Sequence, residues 1–293
     1  MPFLFNRLVI VGVGLIGGSL GLAARERGLI GEVVGFGRTE ANLKVALERG
    51  IIDAYTFDPA DAARGADLVL LAVPVEATGS TIEKFLPFLT PGCVITDAGS
   101  TKEQVVKTME RLLPSTLPFV GAHPIAGTEY AGAAAAFATL FEKCLCVLTP
   151  TERTDRVAMA RVRALWEGVG MRVEEMDMRT HDRVLARVSH LPHVIAFSVM
   201  NAIVDAQDSG VDFLAYAGSA FAGLTRVAAS PVEMWRDICT SNRDALLVAI
   251  DEFEKALAHM KTCVANGDGA GLATAINRAR VERQRLTKMR EQS

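Results

Sequence analysis

The sequence predicts an α/β domain built on a largely parallel sheet, followed by an all-helical domain. Short β-branched runs recur through the first 176 residues, most gaps between them have helical spacing, and beyond about Met176 the strand-like runs stop. The runs are Leu8–Val11, Val33–Phe36, Leu68–Val73, Cys93–Thr96, Phe119–Gly121, Cys144–Leu148 and Arg172–Glu175. Their apolarity is nearly continuous instead of alternating, which marks strands covered on both faces. Between them, residues 40–49, 81–89 and 156–169 have helical pattern, and strand, helix, strand repetition implies parallel pairing through right-handed crossovers. Residues 177–293 then carry one apolar stripe of Val184, Val188, Leu191, Ile195 and Val199. A second holds Leu246, Ile250, Phe253, Leu257, Met260 and Val264 and stops at Asn266-Gly267. Such stripes are core or subunit interface, so a helical second domain that packs against itself in a homodimer is expected. The expected division is 1–176 and 177–293.

The chain of 293 residues is half apolar and 22% charged, enough for two domains that each bury a core. With 31 Lys and Arg against 34 Asp and Glu, the net charge of −3 supplies no field to hold nucleic acid, and a small-molecule partner is expected. The basic end from Arg278 to Arg290 is interleaved with Glu282 and reads as a solvated helix face. The five cysteines are odd in number and scattered, which fits a reducing compartment and no disulfide framework. Cys144-x-Cys146 has no second Cys or His pair at zinc spacing, so no metal is expected. The apolar stretch Leu8 to Ala24 raises a signal peptide, but Gly12, Gly14, Gly17, Gly18 and Gly21 would weaken its helix. No stretch elsewhere reaches the ~18–20 uninterrupted apolar residues of a membrane span. A cytoplasmic protein with no membrane partner is expected.

Directly after the first strand comes Gly12-Val13-Gly14-Leu15-Ile16-Gly17, opening a helical pattern. Gly12 permits the tight turn, Gly14 lets backbone approach a pyrophosphate, Gly17 allows close helix packing, and free N–H groups at the helix start hold the anion. After a strand, opening a helix and inside a βαβ unit, the string marks a Rossmann dinucleotide-binding domain. Leu15, Ile16, Val73 and Pro74 join the glycines as candidate cofactor contacts. The second strand ends Gly35-Phe36-Gly37-Arg38-Thr39 with no carboxylate for a ribose 2′-hydroxyl. Arg38 with Thr39 therefore favours NADP through a charge-assisted bond to a 2′-phosphate, the alternative being a solvated Arg38 and NAD held by backbone.

Oxidation of an alcohol by hydride transfer needs a hydrogen-bond acceptor near the hydroxyl and a cation for a substrate carboxylate. His123 leads as acceptor: it follows the run Phe119–Gly121, at a carboxyl end of the sheet, in a segment flanked by Pro124 and two glycines that reads as a loop. A satisfied structural histidine is the alternative. Ser100, in Asp97 to Glu103, reads as a capping box with Glu103, and its hydroxyl can also face His123, since both loops leave the same sheet edge. Ser189-His190-Leu191-Pro192-His193 sets two histidines on one helix face, read as polar pocket residues instead of metal ligands. Arg226 has few acids near it in sequence, as a carboxylate pocket requires. Trp235, close after Arg226, walls the pocket or the dimer contact, and Trp166 packs against the sheet.

Together these motifs resemble the prephenate dehydrogenase family, with its arogenate and cyclohexadienyl members. The resemblance covers essentially the whole chain and rests on Val11 to Ser19, Asp97 to Lys102, His123-Pro124-Ile125-Ala126-Gly127-Thr128-Glu129, Ser189 to His193, and Thr225-Arg226 with Met234 to Ile238. It implies NAD(P)-dependent oxidative decarboxylation of prephenate to 4-hydroxyphenylpyruvate in tyrosine biosynthesis, by a Rossmann domain joined to an all-α dimerisation domain. It also implies that His123 accepts a hydrogen bond from the ring hydroxyl, Ser100 orients that contact, Arg226 holds a substrate carboxylate, His193 lies near the side chain, and Thr128 and Glu129 line the rim. The sequence departs from the family at Ser219-Ala220-Phe221-Ala222-Gly223, where members often carry an aspartate in place of Gly223 that can pair with the glutamate matching Glu129. A Glu129 free of that partner suits the ammonium of arogenate, so arogenate use stays open.

Overall fold

The computed structural model describes residues 2–128, 130–206 and 210–291. Six strands form one parallel sheet: β1 (Phe5–Val11), β2 (Ile30–Phe36), β3 (Ala54–Thr56), β4 (Leu68–Leu71), β5 (Val94–Asp97) and β6 (Phe119–Val120), in the spatial order β3-β2-β1-β4-β5-β6. Helices α1 (Leu15–Glu26), α2 (Glu40–Glu48), α3 (Pro59–Ala63), α4 (Thr78–Phe85) and α5 (Glu103–Leu112) lie between successive strands. The absence of alternation has its explanation in β1: Leu8 and Ile10 enter one apolar cluster while Val9 and Val11 enter another, and all are buried. Both faces are covered, so both sets of side chains are apolar. Trp166 packs in the first cluster, edge-on to Phe141 at 5.4 Å.

The chain departs from a single parallel sheet after β6. It bends at Gly121, where a Cβ would fall 2.6 Å from the Thr149 hydroxyl, and resumes as β7 (Ala122–Ile125). This strand pairs antiparallel with β8 (Leu145–Leu148), which in turn pairs parallel with β9 (Arg172–Glu175); α6 (Arg156–Gly168) connects them. The expected loop around His123 is therefore a strand. Pro124 disguises it, because proline breaks a ladder and is admitted only where a strand has a free edge, and β7 is the edge of its sheet. Strand β4 also stops at Leu71, leaving Val73 and Pro74 in the following loop.

Beyond β9 every element among the described residues is helical, beginning with α7 (Met178–Leu185), a π turn (Ala186–His190), α8 (Leu191–Asp205), α9 (Ser219–Thr225) and α10 (Val232–Ser241). The π turn precedes Pro192, whose missing N–H and ring cannot join a regular α ladder. The stripe expected through Val184 and Val188 is out of phase: these are 38% and 68% exposed, while His181, Asp182, Leu185, Ala186 and His190 are buried. Residues Met1–Asn242 form one compact unit and Arg243–Ser293 another. The second holds α11 (Arg243–Ala265) and α12 (Gly269–Glu291), with the expected stop at Gly267, whose φ of +63° is easy only for glycine. Among the described residues no helix is long and apolar enough to cross a membrane.

Candidate active site

The glycine turn has the shape its sequence implies. Gly12 takes φ +96°, and a Cβ there would lie 2.4 Å from the Ala72 carbonyl oxygen and 3.1 Å from Val73. A Cβ at Gly14 would meet nothing within 4 Å, so the face in front of the turn is open. The first backbone bond of α1 runs from Gly18 to Gly14, and no acid or side-chain cap occupies its start. The amides of Leu15, Ile16 and Gly17 therefore lie at an open helix N-terminus, which suits a pyrophosphate. Arg38 and Thr39 sit exposed past β2; Arg38 makes no ion pair among the described residues, and Thr39 stands at the start of α2 without capping it through its side chain. Pro74 follows in the loop after β4. These residues fit a dinucleotide.

His123 lies on β7, buried, and its Nδ1 is 2.8 Å from His181 Nε2 on α7. His181 Nδ1 is in turn 2.7 Å from the Asp182 carboxylate. The chain of contacts fixes both tautomers. The carboxylate only accepts, so His181 carries its proton on Nδ1 and its Nε2 accepts from His123 Nδ1–H. His123 Nε2 is left with a lone pair. Burial holds His123 well below the ordinary histidine value, assisted by His181, Lys102 and His190, so the ring stays neutral. Lys102 is fully buried beside it, donating to the Asp97 carboxylate and to the Ala122 carbonyl at 2.9 Å. Asp97 also accepts from the amides of Gly99 and Ala122, so this ion pair ties the loop bearing Ser100 to the start of β7.

Asp182 has further partners: it accepts from the amides of Lys102 at 2.8 Å and Glu103 at 2.9 Å. Burial works to raise this carboxyl, and the hydrogen bonds from His181, Glu103 and Lys102 outweigh it, leaving Asp182 below the usual carboxylate range. The Asn242 amide donates to the Asp182 carbonyl at 2.8 Å and to His190 Nδ1 at 3.0 Å. His193 donates from Nδ1 to the Ser189 carbonyl at 2.9 Å and stacks on Trp235 with centroids 3.5 Å apart. Trp235 is buried and also meets the edge of His190. Burial, then the Arg226 charge working against the Ser189 bond, keeps His193 low. Arg226 is exposed and makes no ion pair among the described residues.

Burial is likewise the leading cause that depresses His190, from 6.5 to about 4. A histidine whose folded value lies below its unfolded one binds its proton better when unfolded. Its contribution to stability is present above the unfolded value and is lost as pH falls toward the folded one. The urea midpoint is therefore expected to drop as pH goes from 7 to about 5, and His190→Gln to lessen that drop. Equal midpoints at the two pH values would contradict this account.

The structure thus gathers His123, His190, His193, Trp235 and the charge of Arg226, and adds four residues to which the sequence assigned no role: Lys102, His181, Asp182 and Asn242. The signal for two of them was present, since His181 and Asp182 are polar residues on the buried face of an amphipathic helix. One expectation is corrected. Ser100 and Glu103 form no capping box; Lys102 occupies the cap position, and Asp182, distant in sequence, accepts from the helix amides. The Ser100 hydroxyl is half-buried with no hydrogen bond among the described residues. Thr128 is exposed and accepts from the Tyr130 amide, and Glu129 lies outside the described residues.

Residues 20–175 match the family model for the nucleotide-binding domain of prephenate dehydrogenase, and residues 177–278 match that for its dimerization domain. The chain belongs to the prephenate dehydrogenase family. It is 38% identical to the cyclohexadienyl dehydrogenase of Zymomonas mobilis over 90% of each chain, and 33% identical to the prephenate dehydrogenase of Bacillus subtilis over 91% of this chain and 72% of that one. The prephenate dehydrogenase of Aquifex aeolicus, solved with hydroxyphenyl propionate and NAD+, superposes with a TM-score of 0.92 at 34% identity, covering 96% of this chain and 98% of that one. An arogenate dehydrogenase from Synechocystis superposes at 0.80 with 29% identity over 96% and 99%. As a prephenate dehydrogenase family member the chain is an NAD(P)-dependent oxidoreductase with a Rossmann nucleotide-binding domain.

Proposed function

We propose that the protein oxidatively decarboxylates prephenate to 4-hydroxyphenylpyruvate, with arogenate as the second substrate. The observation that carries this reading is the Asp182–His181–His123 chain, which leaves His123 Nε2 neutral and able to accept. In the reaction the ring hydroxyl donates to His123 Nε2, which stabilises positive charge developing on that oxygen as the C4–H bond breaks. The ring carboxylate then leaves as CO₂, its bonding pair aromatises the ring, and the proton remains on the phenol. When bound, NAD(P)+ supplies the hydride acceptor. Ser100 orients the hydroxyl. Arg226 binds a substrate carboxylate, His193, stacked on Trp235, faces the substrate side chain with His190 behind it, and Thr128 and Glu129 line the rim. The amides of Leu15 to Gly17 at the Gly12–Gly14 turn, with Val73 and Pro74, hold the dinucleotide. Arg38 and Thr39 favour NADP over NAD, supported by an Arg38 without an ion pair among the described residues and by the missing strand-end carboxylate.

The arogenate reading is favoured by Gly223, which lacks the side chain that would pair with Glu129. A homodimer of a cytoplasmic enzyme, dividing into residues 1–176 and 177–293, completes the proposal. It is supported by the spans of the two family models and by exposed Leu257 and Val264 on α11 and Ile276 and Val281 on α12.

The test is nicotinamide reduction and CO₂ release with each substrate and each cofactor. NADPH formation with prephenate and a higher kcat/KM for NADP+ than for NAD+ are expected; no reduction with either substrate sinks the function, and a strong NAD+ preference sinks the role of Arg38. Arg226→Ala is expected to raise KM for prephenate by about tenfold or more, since a hydrogen bond to a charged group contributes about 1.5–3 kcal/mol, with kcat less affected. A fall in kcat alone would remove Arg226 from substrate binding.

A further inference from the structure

Helix α2 begins just past Arg38 and Thr39, and two of its neighbouring side chains reach elsewhere. Asn42 lies between two backbone groups: Nδ2 donates to the Val13 carbonyl at 2.7 Å, inside the glycine turn, and Oδ1 accepts from the Ala133 amide at 2.8 Å. Arg49, at the end of the same helix, donates to the carbonyls of Ala133, Ala134 and Ala136. On the other side Ser19 of α1 accepts from the Phe137 amide at 3.0 Å, and the Ala136 methyl lies 2.8 Å from where a Gly18 Cβ would sit. The segment from Ala133 to Phe137 is thus fastened to the two helices that flank the glycine turn.

We propose that Asn42 is a positioning residue that couples dinucleotide binding to the placement of the segment Ala133–Phe137, an inference that rests on the dinucleotide site proposed above. The Val13–Gly14 peptide is held at both polar ends, its N–H by the Gly12 carbonyl and its carbonyl by Asn42. A ligand seated on the amides that follow must fix that peptide, and so fixes the planar amide of Asn42. The opposite end of the same amide holds Ala133. Because one small rigid group serves both sites, ordering either favours the other, and the effect is reciprocal.

Hydrogen exchange at the Phe137 amide reports the coupling, since that amide is bonded to Ser19 and not to Asn42. Saturating NADP+ or NAD+ is expected to slow its exchange about tenfold in the wild type and less than about twofold in Asn42→Ala, a loss within the usual range of site-to-site coupling. Asn42→Asp keeps the acceptor for Ala133 but sets a carboxylate oxygen against the Val13 carbonyl. It is expected to bind the cofactor more weakly while the Ala133 amide, without cofactor, stays as protected as in the wild type. Should Asn42→Ala fail to fold, Asn42→Asp carries the comparison. Slowing at Phe137 equal to the wild type in the folded variant overturns the proposal, as does a wild type that shows no slowing. A wild type that shows the coupling yet reduces cofactor with neither prephenate nor arogenate overturns the assigned reaction and leaves the role of Asn42 standing.

Discussion

His123→Asn is expected to lower kcat by about two to four orders of magnitude, the usual worth of a positioned acid–base group, and to change KM for prephenate little. Asparagine is the informative replacement because its amide reaches about as far as imidazole Nδ1. It keeps a donor for His181 Nε2 while deleting Nε2, the one ring nitrogen of the two histidines that has no partner in the Asp182–His181–His123 chain. The fold and the buried contact survive, and the acceptor alone is lost. Steady-state rates with prephenate and saturating cofactor check this. Turnover within about fivefold of the wild type would remove His123 from the reaction.

Asp182→Asn is the second large effect, and it acts on stability and turnover together. The carboxylate accepts from His181 Nδ1, the Lys102 amide and the Glu103 amide, all donors. An amide in its place turns an NH₂ group toward at least one of those N–H groups. It also no longer compels the His181 proton onto Nδ1, so the lone pair on His123 Nε2 loses its enforcement. Losing two charge-assisted bonds at a buried site costs about 3–5 kcal/mol, within reach of unfolding a domain of ordinary stability. Denaturation in urea is expected to show that loss, and kcat of the folded fraction to fall about tenfold or more with a shifted acid limb in its pH profile. A variant with wild-type stability and turnover would show that Asp182 neither caps α5 nor orients His181.

The parts of the fold that were legible in sequence are those whose causes are local. Nearly continuous apolarity in Leu8–Val11 follows from cover on both faces, and the turn at Gly12 follows from a backbone angle that glycine alone takes easily. What escaped has causes distant in sequence. Asp182 accepts from the amides of a helix that starts 79 residues earlier, so a local capping pattern at Ser100 and Glu103 looked sufficient when it was not. Strand β7 was hidden by Pro124, whose tolerance depends on a sheet edge that only the tertiary fold creates. The helical stripe through Val184 and Val188 is out of phase because apolar spacing alone does not mark the buried face. Here the buried face carries His181, Asp182 and His190, which compensate one another through hydrogen bonds. At the site itself, His123, His193 and Arg226 are legible through motif and chemistry. Lys102 ends the Asp97–Lys102 string with no role readable from it, and His181 and Asn242 belong to no short string.

The π turn at Ala186–His190 acts as an angular spacer. In an uninterrupted α-helix His181 and His190, nine residues apart, would point about 180° away from each other, since each residue advances the helix by about 100°. A wider turn advances each of its residues by less, which swings His190 back toward the side of His181. Across that turn the single amide of Asn242 donates to both the Asp182 carbonyl and His190 Nδ1. Pro192 makes the helix direct its side chains differently there, so a residue that in isolation reads as a helix breaker sets the bearing of the imidazoles around it.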